Sequence, residues 1–130
     1  MSAIGILVFI GLTGCGSAAA DLFTVTRTAG IPAGNLRLRV TDDGRASCNG
    51  GALVEITSAQ LITARQARRD LDALGARRLP SGRQSVFSYR VRTARTTVAW
   101  ADDSARQAPV LFKLAKLTRD IAKGPCRLPR

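Results

Sequence analysis

Residues 35–44 read Asn35-Leu36-Arg37-Leu38-Arg39-Val40-Thr41-Asp42-Asp43-Gly44, and this stretch decides the fold. From Leu36 to Val40 apolar and charged residues alternate strictly. Successive side chains of a strand point to opposite faces, so Leu36, Leu38 and Val40 share one face and Arg37 and Arg39 the other. Such a strand belongs in a half-buried antiparallel sheet, apolar side on a core and basic side in water. Thr41-Asp42-Asp43-Gly44 marks a hairpin turn, because Asp-Gly tolerates the positive φ that tight turns require. Arg45 to Asn49 is the expected returning strand, ended by Gly50-Gly51.

The flanks extend this pattern. Upstream, residues 22–27 (Leu-Phe-Thr-Val-Thr-Arg) have strand composition, and Gly30-Ile31-Pro32-Ala33-Gly34 is a connecting loop. Downstream, Thr57 and Gln60 have capping-box spacing. Leu61, Ala64, Ala67, Leu71 and Leu74 then form one helical apolar stripe, which Gly75 can close. Ala76 to Gln84 reads as a basic linker. Residues 85–93 alternate again, with Phe87, Tyr89 and Val91 inward and Ser88, Arg90 and Arg92 outward. Thr97 to Ala101 adds a strand with Val98 and Trp100 inward, after a longer loop that lacks Gly. Pro109 suits the first turn of a second helix. Its stripe is Leu111, Leu114, Leu117 and Ile121, and Gly124-Pro125 ends it. The order β-β-β-α-β-β-α predicts an α+β domain: an antiparallel sheet of about five strands with two helices packed on one face. Arg37, Arg39, Arg90 and Arg92 then stud the uncovered face, where guanidinium groups can grip phosphates or carboxylates in bidentate fashion. The alternative is plain solvation of an open face.

Residues 4–12 (Ile-Gly-Ile-Leu-Val-Phe-Ile-Gly-Leu) are an apolar run too short for a membrane-spanning helix, which needs about 20 such residues. The run suits the hydrophobic region of an export signal. Leu12-Thr13-Gly14-Cys15 follows at once and resembles the lipobox of bacterial lipoproteins. That resemblance implies a diacylglyceryl group on the Cys15 thiol and cleavage just before it. The expected organisation is a signal peptide over 1–14, the lipidated Cys and a short tether over 15–21, and one α+β domain over 22–130. Two acyl chains hold a protein firmly where one does so only marginally. The domain would then sit on the extracytoplasmic face of the membrane, periplasmic in a two-membrane cell. An export signal ordinarily opens with Lys or Arg, which Met1-Ser2-Ala3 lacks, so a start upstream of Met1 is one expectation.

An exported domain meets oxidising conditions. With Cys15 taken by lipid, Cys48 and Cys126 permit one intramolecular disulfide; the alternative is two free thiols. The 130 residues carry 20 Lys and Arg against 9 Asp and Glu, a net charge of +11, and Arg supplies 17 of the 20 cations. Such a field draws in polyanions, anionic lipid or acidic proteins. The alternative is a solvated surface whose Arg bias reflects a GC-rich genome. There is no His, which removes Ser-His-Asp and Cys-His catalysis and His metal sites. Asp42-Asp43 and Asp102-Asp103 are adjacent carboxylates without further ligands. No enzyme activity, cofactor or metal is expected, and without a recognised motif no nucleic-acid partner either.

Val25-Thr26-Arg27-Thr28-Ala29-Gly30-Ile31, Phe87-Ser88-Tyr89-Arg90-Val91, and Trp100-Ala101-Asp102 with Pro109-Val110-Leu111 and Leu114 resemble emfourin-type inhibitors of thermolysin-like metalloproteases. The likeness covers about residues 22–121 and rests on short motifs. Thr28-Ala29-Gly30 stands where that family has a double Gly, and the lipobox and two further cysteines are additions. The resemblance implies the shared fold and a protease partner. The loop Gly30 to Gly34, with Ile31 and Pro32 as its apolar tip, is the expected contact. The leading expectation is a non-enzymatic envelope lipoprotein that binds a protein. The alternative is a module that binds anionic lipid or cell-wall polymer through the four arginines.

Overall fold

A computed structural model describes residues 19–129. The expected signal peptide over 1–14 and the expected lipidation at Cys15 lie outside the described residues.

The chain folds as an α+β domain with one mixed sheet of seven strands and two helices. Strand β1 is Asp21–Ala29, β2 is Leu36–Thr41 and β3 is Arg45–Cys48. β4 is Val54–Glu55, and helix α1 runs over Ser58–Leu74. β5 is Arg77–Arg78, β6 is Phe87–Arg92 and β7 is Thr97–Ala101. Helix α2, Pro109–Lys123, ends the order. Across the sheet the strands run β4-β3-β2-β1-β6-β7-β5.

The five expected antiparallel strands form the centre of the sheet, as β3-β2-β1-β6-β7, and a two-residue strand is added at each edge. β4 pairs with β3 over two residue pairs. β5, inside the stretch read as a linker, runs parallel to β7 over two more. Strands of two residues have no alternation to detect, so only the central five were legible.

Polarity builds the layers. Phe23 and Val25 of β1, Leu38 and Val40 of β2, and Val91 and Val98 of β6 and β7 are buried on one face. Ala64, Ala67 and Leu71 of α1 and Leu111, Leu114 and Ile121 of α2 join the same core cluster. Both helices therefore cover one face, as the stripes require. Burying a Leu, Val or Phe side chain contributes roughly 1.5–3 kcal/mol. α1 starts at the capping box: Gln60 N–H donates to Thr57 Oγ1 at 3.1 Å, and Thr57 N–H to Gln60 Oε1 at 2.9 Å. Gly75 follows α1 with φ of 78°, a backbone that side-chain-bearing residues rarely adopt. The β2–β3 turn reaches Gly44 at φ 85°, with Gly44 N–H donating to Thr41 O.

The β6–β7 loop has four residues, 93–96, and Thr93 orders it. Its Oγ1 accepts from Arg95 N–H and Thr96 N–H, each at 3.1 Å, and donates to Asp72 Oδ1 at 2.6 Å. Asp72 also holds Arg68 at 2.9 Å, so one carboxylate ties α1 to the hairpin. Cys48 and Cys126 form a disulfide with Cα atoms 6.2 Å apart. It fastens the segment after α2 to β3, one strand in from the β4 edge.

Candidate functional site

Strand register places the four expected arginines together. Thr24 of β1 faces Arg39 of β2 on one side and Arg92 of β6 on the other. Thr26 lies likewise between Arg37 and Arg90. Residues directly opposite in a ladder share a face, so two Arg-Thr-Arg rows cross the centre of the sheet. Strands lie about 4.8 Å apart and rise about 3.4 Å per residue. The four Cα atoms therefore mark a rectangle of about 10 by 7 Å.

The second row continues. Arg90 faces Ala99 of β7, and Ala99 faces Arg78 of β5. Arg78 is thus a fifth member that sequence reasoning missed, because it sits in the two-residue edge strand. A shallow depression of about 370 Å³ opens there, lined by Thr26, Thr28, Arg78, Ser88 and Arg90 among others. All five arginines are exposed. Of these five only Arg39 has an ion-pair partner among the described residues, Asp21 at 2.9 Å. Hydroxyls and four guanidinium groups without a carboxylate partner supply donors, which is the chemistry of an anion-binding surface.

Ile31 and Pro32 lie elsewhere, at the end of β1 away from the chain entry. A single 3-10 turn, Pro32–Gly34, shapes their loop. Arg27 Nε donates to Gly34 O at 2.9 Å, and Ala29 N–H to Asn35 Oδ1 at 2.9 Å. Gly34 is needed for closeness: a Cβ there would stand 2.4 Å from the Ala29 Cβ. The loop is pinned at its base while Ile31 remains 66% exposed.

That loop walls a groove of about 860 Å³ on the helix side of the sheet, with α2 as the other wall. Phe87, Tyr89 and Trp100 line its floor. Tyr89 and Trp100 stack at 5.0 Å, and Arg27 sits 4.9 Å over the Phe87 ring. Burial holds the Tyr89 phenol above its ordinary pKa, an effect that Asp102 adds to and that Arg27 and Arg119 oppose. Of the apolar residues on this rim, sequence reading found Ile31 but not Phe112, which lies off the α2 stripe.

The paired carboxylates have structural duties. Asp42 holds Arg65 at 2.9 Å. Asp43 accepts from Thr41 Oγ1 and pairs with Arg45 at 2.7 Å. The Arg45 hydrogen bond, then that from Thr41, lowers the Asp43 pKa. Asp102 accepts from the N–H groups of Val86 and Phe87 at 3.1 and 3.2 Å, and Asp103 from those of Gly82 and Gln84 at 2.9 and 2.8 Å. These bonds tie the 82–87 segment to the residues that follow β7. Among the described residues no group of three or more Cys, Asp or Glu side chains is placed to hold a metal ion. No described helix is long and apolar enough to cross a membrane.

Comparison with family models, with curated proteins and with solved structures gives no match to this chain, so the site is read from its own geometry.

Proposed function

We propose that this chain is a non-enzymatic envelope lipoprotein, anchored through Cys15, whose arginine face rests on an anionic phosphate-bearing surface of lipid or cell-wall polymer. The observation that carries this reading is the array Arg37, Arg39, Arg78, Arg90 and Arg92 on one exposed face with a single ion pair. The six-residue step from Cys15 to Asp21 spans at most about 20 Å. A domain tethered that closely can lie with its sheet against the surface that holds the anchor. Each arginine near an anionic surface contributes about 1 kcal/mol.

The test uses the domain from residue 19 onward, which contains the whole core cluster and the disulfide. It should bind phosphatidylglycerol vesicles and not phosphatidylcholine vesicles, and lose binding as salt screens the charges. Replacing Arg37, Arg39, Arg90 and Arg92 together by Ser should weaken binding about 100-fold or more. A phosphate-bearing wall polymer offered in place of vesicles separates the two sources. Undiminished binding by the quadruple variant refutes the reading. Mass spectrometry of the native protein tests the anchor: an unacylated Cys15 would remove the lipoprotein part.

A second reading is a protein partner, a thermolysin-like metalloprotease in the first instance, met by the Ile31–Pro32 tip. The exposure of Ile31 on a loop pinned at its base supports it. Loss of inhibition in an Ile31→Ser, Pro32→Ser double variant would be its signature.

A further inference from the structure

The aromatic-floored groove carries an inference independent of the arginine face. Its walls hold two of the four large apolar side chains exposed among the described residues, Ile31 at 66% and Phe112 at 59%. Exposed apolar groups that converge on one concavity mark a binding surface more strongly than the same groups scattered. The groove volume is that of ordinary ligand clefts.

The rim charges specify the occupant. Arg119 and Lys123 line the groove and have no ion-pair or hydrogen-bonding partner among the described residues. Lys116 is paired with Asp120 at 2.6 Å. Asp102 is the one carboxylate in the lining, and Val86 N–H and Phe87 N–H already engage it. The Tyr89 hydroxyl makes no hydrogen bond to any described residue and is free to donate. Unsatisfied donors therefore stand over an apolar floor; of the side-chain acceptors in the lining, Asp102 is engaged and the free Gln107 Oε1 is uncharged.

We infer that this groove binds a peptide segment in which a carboxylate lies beside a large apolar side chain. The apolar side chain packs between Ile31 and Phe112 over the aromatic floor. The carboxylate takes hydrogen bonds from Arg119, Lys123 and the Tyr89 hydroxyl, charge-assisted from the two cations. Here the Ile31 loop is a wall that receives a chain, not a plug inserted into a partner. The groove begins at Arg27, about 20 Å of strand from the chain entry at Asp21, so a segment of a passing protein can reach it.

Trp100 is the only tryptophan of the chain and lines this groove, so its fluorescence reports occupancy directly. The domain from residue 19 onward is titrated with N-acetylated hexapeptides that pair Phe with Glu or with Gln. The Glu peptide should shift Trp100 emission saturably and bind about tenfold or more tighter than the Gln peptide. Arg119→Gln with Lys123→Gln should erase that preference. Phe112→Ser, at an exposed position where folding is untouched, should weaken both peptides about tenfold. The quadruple Ser variant of Arg37, Arg39, Arg90 and Arg92 should bind as the parent does. Equal binding of Glu and Gln peptides, no saturable shift, or an indifferent Phe112→Ser variant overturns the inference. Phenylpropionate binding as tightly as the Glu peptide also overturns it, since the occupant would then be a small acid.

Discussion

Replacing Cys48 and Cys126 together by Ala tests how much of the stability is held in one bond. The disulfide has a sequence separation of 78. Closing a loop of that length removes about 15 cal/mol/K from the unfolded chain, or about 4.5 kcal/mol at 25 °C. A domain of this size is typically stable by only about 5–15 kcal/mol, so the bond accounts for a large share. Both cysteines are partly buried against the core cluster, and Ala in their place leaves that packing nearly intact. With a urea slope of about 1.5 kcal/mol/M, the unfolding midpoint should fall by about 3 M. Urea titrations followed by far-UV circular dichroism and by Trp100 emission should give coincident curves for both proteins. A double variant within about 1 kcal/mol of the parent would refute the chain-entropy reasoning. The bond also bears on the groove. Leu128 and Pro129 line it, and the bridge at Cys126 holds that tail in place. The variant should therefore bind the Glu hexapeptide more weakly even where it remains folded.

Three further outcomes follow from single contacts. Thr57→Ala removes one half of the capping box and should cost about 1 kcal/mol in a thermal or urea melt. Thr93→Val keeps the shape but strips a buried hydroxyl that serves three partners, and should cost about 1–3 kcal/mol. Asp43 should titrate below an ordinary aspartate in carboxyl NMR spectra, and Arg45→Gln should move it back up. The sign is fixed: a lowered folded pKa stabilises above the unfolded value near 3.9 and is lost as pH falls through the folded one.

The central sheet was legible because each of its longer strands carries a period of two. Leu36 to Val40 and Phe87 to Arg92 show it in their own letters, and the two helices show theirs at Leu61 to Leu74 and Leu111 to Ile121. The same period puts Arg37, Arg39, Arg90 and Arg92 on one face. Arg78 escaped because β5 is two residues long and parallel, a pairing set by tertiary contact with Ala99 and not by a local pattern. The groove escaped for a related reason. Its residues come from β1, the Ile31 loop, β6, β7, α2, the segment after α2 and the loops at Asn49 and Gln107, and no segment contains enough of them to be read. Asp102 and Asp103 read in sequence only as adjacent carboxylates without further ligands, since nothing local shows that their oxygens face the N–H groups of 82–87.

The sheet stops at both sides in strands of two residues, with Glu55 on one and Arg77 and Arg78 on the other, all exposed. A long, bare outer strand would invite another copy to zip onto it, and the invitation grows as molecules are crowded together. Stubs bearing charge offer too few free amides and carbonyls for that, so neighbours can be packed side by side without merging into a common fibre.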